Sequence, residues 1–130
     1  MIKILILDDE KGTCGHIGEF FKYRGYTVFT TTSGKKALEV IDKQKPQILL
    51  LDIKMEGING LEVLKKAKEN NPNTKTIMIT GLDDEATKLQ AKELGADEYI
   101  IKPYSFDMLE KLIIRMVNEV LKLEETQKNG

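Results

Sequence analysis

One cysteine, one histidine and a net charge of −1 leave this 130-residue chain without the raw material of several functional classes. A lone Cys14 can close no internal disulfide, which suits a reducing, cytoplasmic setting. Cys14 and His16 are too few ligands for a zinc site. The near-balance of charge lacks the basic excess of a dedicated nucleic-acid surface, so no direct nucleic-acid partner is expected. No apolar run approaches the ~20 residues needed to cross a bilayer, and no membrane partner is expected either. The chain enters a strand-like run at once, without a charged leader or a small-residue cleavage site, and so does not read as a secreted precursor. What is present is 41% hydrophobic and 32% charged residues, the balance of an ordinary folded domain of one-domain length.

Hydrophobic patterning alternates between short apolar runs and amphipathic stretches about five times. Residues 2–7, 26–30, 47–51, 75–79 and 98–101 read as strands, several of them nearly all apolar, as strands covered on both faces are. Between them lie five helical patterns. The first, 12–24, carries Ile17, Phe20, Phe21 and Tyr23 and stops at Arg24-Gly25. The second starts at Ser33 as N-cap, presents Ala37, Leu38, Val40 and Ile41, and ends before Pro46. The third follows Gly57 and Gly60 with Leu61, Val63, Leu64 and Ala67, and stops at Asn70-Asn71-Pro72. The fourth runs from Asp83 or Asp84 to Leu94-Gly95 with Ala86, Leu89 and Ala91, and the fifth from Ser105 to about Leu123. Met55, Met78, Met108 and Met116 read as core filler. Residues 1–124 are expected to form the domain and 125–130 a polar tail. Strict alternation implies a doubly wound parallel sheet with helices on both faces, right-handed crossovers and short connections.

The chemistry sits at the ends of the strands. Ile4-Leu5-Ile6-Leu7 runs into Asp8-Asp9-Glu10, Ile48-Leu49-Leu50-Leu51 into Asp52, Ile77-Met78-Ile79 into Thr80-Gly81, and Tyr99-Ile100-Ile101 into Lys102-Pro103. Taken singly, each polar residue reads as a solvated turn, a helix cap or a surface lysine. Their common position decides against that, because one register of a parallel sheet places all four groups along the edge where open α/β sheets hold ligands. Clustered carboxylates repel unless a cation lies among them. Mg²⁺ prefers oxygen ligands and usually takes one or two carboxylates with water and phosphate oxygens. An ammonium and a hydroxyl suit the remaining phosphate oxygens, and a carboxylate beside the metal can form an aspartyl phosphate.

These residues carry a resemblance to the receiver domain of two-component response regulators over essentially the whole chain. The matching motifs are the acidic pair after the first strand, Asp52-Ile53-Lys54-Met55 with Gly60, Thr80-Gly81, and Lys102-Pro103, with Tyr99 at the position of the switch aromatic. The resemblance implies a flavodoxin-like, five-stranded sheet of order 2-1-3-4-5. It also implies that Asp52 is the phosphoacceptor, supplied by a sensor histidine kinase or a phosphotransfer protein. Asp9 and Asp52 would ligate Mg²⁺ directly, Asp8 mainly through water, and the backbone carbonyl of Lys54 would add a ligand. Lys102 would pair with the phosphoryl group, Thr80 would turn toward it, and Tyr99 would follow. Gly81 keeps the phosphorus approachable. On this reading the chain is a switch and not an enzyme, catalysing only its own phosphorylation and dephosphorylation.

Two departures and one surface complete the expectations. Glu56 stands where many receivers have proline, which would leave that loop freer and more negative. Gly12, Gly15 and Gly18 recur every third residue in the first helix, either as a slightly loose helix or for close contact with a partner helix. The fifth helix has more apolar positions than one core stripe needs, so a weak homodimer through helix four, strand five and helix five is expected. An aspartate-nucleophile phosphatase is the nearest enzyme alternative, but such enzymes place a second acid where Lys54 stands. A module that signals without phosphorylation would have no need of the acidic, threonine and lysine set.

Overall fold

Ten elements alternate along the computed structural model, which describes residues 1–55 and 57–129. They are β1 Lys3–Leu7, α1 Lys11–Tyr23, β2 Thr27–Thr31, α2 Gly34–Gln44, β3 Ile48–Leu51, α3 Gly60–Asn70, β4 Lys75–Thr80, α4 Glu85–Glu93, β5 Glu98–Ile101 and α5 Phe106–Asn129. All five strands are parallel in the order β2-β1-β3-β4-β5. The doubly wound, flavodoxin-like sheet expected from the patterning is therefore what the chain forms.

Alternation along the strands builds two cores. Successive side chains of a strand point to opposite faces. Ile4, Ile6, Ile48, Leu50, Ile77 and Ile79 accordingly meet Ile17 and Phe21 of α1 and Leu109, Ile113 and Met116 of α5. Leu5, Leu7, Leu49, Leu51 and Met78 meet Ala37 of α2, Val63, Leu64 and Ala67 of α3, and Ala91 of α4. Burying each large aliphatic side chain stabilises by about 1.5–3 kcal/mol, so the three central strands dominate the fold. The edge strand β2, with three threonines and only partial burial, adds less.

Capping side chains set the helix starts. Ser33 accepts from the Lys36 N–H at 3.3 Å, Asn59 from Glu62 at 3.1 Å, Asp84 from Thr87 at 2.7 Å, and Ser105 from Met108 at 3.1 Å. Gly25 and Gly95, with φ of 92° and 101°, turn the chain out of α1 and α4 where the sequence stops were read.

Three expectations are corrected. Helix α5 runs to Asn129, beyond Leu123 and through the stretch read as a polar tail. Glu124, Glu125, Gln127 and Lys128 are good helix formers with no proline or glycine among them, so nothing in the chain ends the helix earlier. Tyr23 is 89% exposed, because the buried stripe of α1 is Cys14, Ile17, Gly18 and Phe21. Met108 is exposed on the first turn of α5, whereas Met78 and Met116 are core residues. Glu56 and Gly130 lie outside the described residues.

Candidate functional site

The winding direction reverses between β1 and β3, and that is where the acidic residues gather. Leu7 pairs with Leu51 in the sheet register, so the next residues, Asp8 and Asp52, fall side by side. The Asp52 N–H donates to the Leu7 carbonyl at 2.9 Å and fixes that placement. Both aspartates are only 3% exposed. Asp9, two residues past the strand, is exposed. One carboxylate oxygen from each of Asp8, Asp9 and Asp52 lies within 4.8 Å of the others.

Lys102 reaches the cluster from the end of β5. Its Nζ donates to Asp8 at 3.2 Å and to Asp52 at 3.1 Å. The second oxygens are held by backbone, Asp8 accepting from the Glu10 N–H at 2.9 Å and Asp52 from the Lys54 N–H at 3.1 Å. Burial and the charge of Asp8 push the Asp52 carboxyl above its ordinary value, although Lys102 and the Lys54 N–H pull it back. Burial opposes the charge of Lys102, but Asp52 and Asp8 outweigh it and raise its pKa, so the ammonium is retained. Two buried carboxylates share one lysine, and the negative charge is undercompensated.

That imbalance is where a cation fits. The donors are all hard oxygens, and they converge from the two residues after β1 and the one after β3. This suits Mg²⁺ with water in its remaining positions. The packing around Asp52 is close on the α3 side. A Cβ on Gly60 would collide with the Asp52 carbonyl, so glycine lets the start of α3 lie directly against the β3 end.

Thr80 ends β4 and is fully buried. Its Oγ1 accepts from the Leu82 N–H at 3.2 Å, and the Leu82 carbonyl accepts from the Tyr99 hydroxyl at 2.7 Å. Thr80 and Tyr99 are thus joined through one backbone unit. Tyr99 packs partly buried against the core on the α2–α4 side, and burial raises the pKa of its phenol. Gly81 is exposed with nothing within 4 Å of a Cβ built there, so packing does not require its small size.

All of the residues singled out by strand-end position (Asp8, Asp9, Asp52, Thr80 and Lys102) therefore line one edge of the sheet. Tyr104 went unnoticed. It follows a cis Lys102–Pro103 bond and packs against the α1–α5 core, yet its hydroxyl is buried and has no hydrogen-bond partner. Burial, with Asp8 next in strength, pushes its phenol up to about 12. The only signal in the sequence was an aromatic with a polar tip two residues past the site lysine.

A sheet of this order, with carboxylates at its reversal point and a lysine from the last strand, is the arrangement of a receiver domain. The chain belongs to the response regulator receiver domain family, whose model matches residues 4–114. It is 36% identical over 105 residues to sporulation initiation phosphotransferase F of Bacillus subtilis, covering 81% of this chain and 85% of that protein. It is 37% identical to the transcriptional regulatory protein CrdR of Helicobacter pylori over 90% of this chain, and spans only 55% of that relative. It likewise spans about half, 53%, of the response regulator SaeR of Staphylococcus epidermidis. Among solved structures, a CheY-like receiver domain protein from Methanospirillum hungatei superposes with a TM-score of 0.84 at 30% identity, covering 100% of this chain and 99% of the other. The BeF3-activated DrrB receiver domain gives 0.84 at 29% identity, covering 91% and 98%.

Proposed function

We propose that this receiver domain is a phosphorylation-dependent switch that takes a phosphoryl group on Asp52. The observation that carries this reading is the Lys102 ammonium held between two buried carboxylates at the reversal point of the sheet. A partner phosphohistidine, on a sensor histidine kinase or a phosphotransfer protein, supplies the group. An Asp52 oxygen forms the new P–O bond, the P–N bond breaks, and the imidazole nitrogen keeps the electron pair and takes up a proton. Asp8, Asp9, Asp52 and the backbone carbonyl of Lys54 are the residues that would hold Mg²⁺. The ion, when bound, supplies positive charge against the phosphoryl oxygens. Lys102 exchanges one carboxylate for a phosphoryl oxygen.

Thr80 then leaves the Leu82 N–H to bond the phosphoryl group. The same Leu82 unit anchors the Tyr99 hydroxyl, so the move loosens Tyr99 and alters the α4–β5–α5 face. That face is also where we place a weak homodimer. The domain's chemistry is confined to its own phosphorylation and dephosphorylation, and its one buried, unpaired cysteine suits the cytoplasm.

Incubation with acetyl phosphate and Mg²⁺, followed by intact mass measurement, tests the assignment. The wild type should gain one phosphoryl group only when Mg²⁺ is present, and Asp52→Asn should gain none. Labelling of the Asn variant at the wild-type level would overturn it.

A further inference from the structure

Only two of the described glycines would drive an added Cβ into backbone, and both face the loop between β3 and α3. Gly60, at the far end of that loop, meets the Asp52 carbonyl at its start. Gly34, the buried first residue of α2, meets the Ile58 carbonyl, with the Ile58 Cβ at 2.9 Å as well. Elsewhere an added Cβ meets a side chain that can yield, as at Gly18 and Gly95, or nothing at all. The Ile58 carbonyl cannot yield in that way. It belongs to the peptide unit of Asn59, whose side chain caps α3.

Gly34 has no other need to be glycine. It is not in the left-handed region that Gly25, Gly57 and Gly95 occupy, and Ser33 already caps the helix. Glycine is among the poorest helix formers, so the position carries a cost. What it supplies is closeness, since carbon and oxygen ordinarily stand about 3.5 Å apart. The loop that α2 touches is the one that serves the site. The Lys54 N–H donates to Asp52 at 3.1 Å, and Ile53, Met55 and Ile58 pack into the core that α2 enters through Ala37. Ile58 stands four residues past Lys54, so a displacement at one is carried to the other over a short span.

We propose that Gly34 is a positioning residue of the phosphorylation site. By seating α2 on the Ile58 carbonyl, it fixes the loop from which the Lys54 carbonyl is offered to Mg²⁺. The inference rests on the reading of Asp8, Asp9, Asp52 and the Lys54 carbonyl as the cation site. It brings α2, which holds no residue of that site, into the support of the metal.

The test sets Gly34→Ala beside Ala37→Gly, without any phosphodonor. Ala37 is buried in the same helix, and its change to glycine weakens α2 without placing an atom against the loop. Mg²⁺ affinity is read by calorimetric titration at a temperature where each variant is folded. It should fall roughly 10-fold in Gly34→Ala, as losing the outer support of a metal ligand does, and less than twofold in Ala37→Gly. Ile58→Gly loosens the same seat from the loop side with no added atom, and should weaken Mg²⁺ more than twofold even where Gly34→Ala does not fold. Wild-type affinity in a folded Gly34→Ala or in Ile58→Gly, or an equal loss in Ala37→Gly, would overturn the inference. A wild type that bound no Mg²⁺ would overturn the cation-site reading, and the inference with it, before any variant was made.

Discussion

Asp52 stands between opposed forces at the scale of a single residue. Burial and Asp8 resist its ionisation, Lys102 and the Lys54 N–H favour it, and the balance raises its pKa. A carboxyl whose folded pKa lies above its unfolded one destabilises the fold when ionised. The cost is absent below the unfolded value of about 4, grows as pH rises from there through the folded pKa, and is complete above it. Asp52→Asn keeps the shape and removes the charge. We expect its urea midpoint at pH 7 to exceed that of the wild type, with the advantage shrinking as pH falls toward 4. A lower midpoint at pH 7 would mean that Lys102 depends on Asp52 more than Asp52 suffers from burial. The same imbalance makes the site receptive to a cation: the charge is concentrated before any ligand arrives, and the fold bears the cost.

At the scale of the element, the glycines separate space that is used from space that is free. In α1 a Cβ on Gly18 would meet the Thr30 methyl at 2.9 Å, so that glycine lets the helix approach β2. Gly15, exposed in the helix interior, has nothing within 4 Å and makes no such contact. Gly15→Ala should therefore raise stability by about 1 kcal/mol in chemical denaturation. Gly60→Ala, forced against the Asp52 carbonyl, should lower it by about 1–3 kcal/mol through overpacking. Equal effects of the two changes would contradict this division. Much of this level could be read from the chain. Apolar runs marked the strands, Ser33, Asp83 or Asp84, and Ser105 marked the helix starts, and strand ends aligned Asp8, Asp52, Thr80 and Lys102, because periodicity and capping are local properties. Other features depend on contacts distant in sequence. The Arg24–Glu110 ion pair, with Arg24 stacked 3.6 Å over Phe20, ties α1 to α5 without any motif. The burial of the Tyr104 hydroxyl depends on packing against the α1–α5 core, which no pattern along the chain encodes.

For the whole molecule the open question is what the α4–β5–α5 face meets. Leu89 on α4 and Ile114 and Leu121 on α5 are 57%, 47% and 49% exposed. A cleft of about 410 Å³ between α4 and β5 is lined by Lys88, Lys92, Tyr99 and Ile101. Much of the charge on this face is already engaged within the chain. Lys88 pairs with Asp83 and Glu85, Arg115 with Glu98 and Glu119, and Asp97 with Lys68. Finishing the burial of a half-exposed aliphatic side chain gives about 1 kcal/mol, and six of them across a two-fold axis about 6 kcal/mol. Association costs at least about 4 kcal/mol, so the unphosphorylated protein should dimerise weakly at best. Movement of Tyr99 after Thr80 would reshape the same face and shift that balance. We expect sedimentation at ~100 μM, where a free energy of about −5.5 kcal/mol is half-saturating, to show mostly monomer without a phosphoryl mimic. With beryllofluoride and Mg²⁺ a substantial dimer fraction should appear, and Ile114→Lys should remove it. A strict monomer in both states would leave this face to a partner other than a second copy.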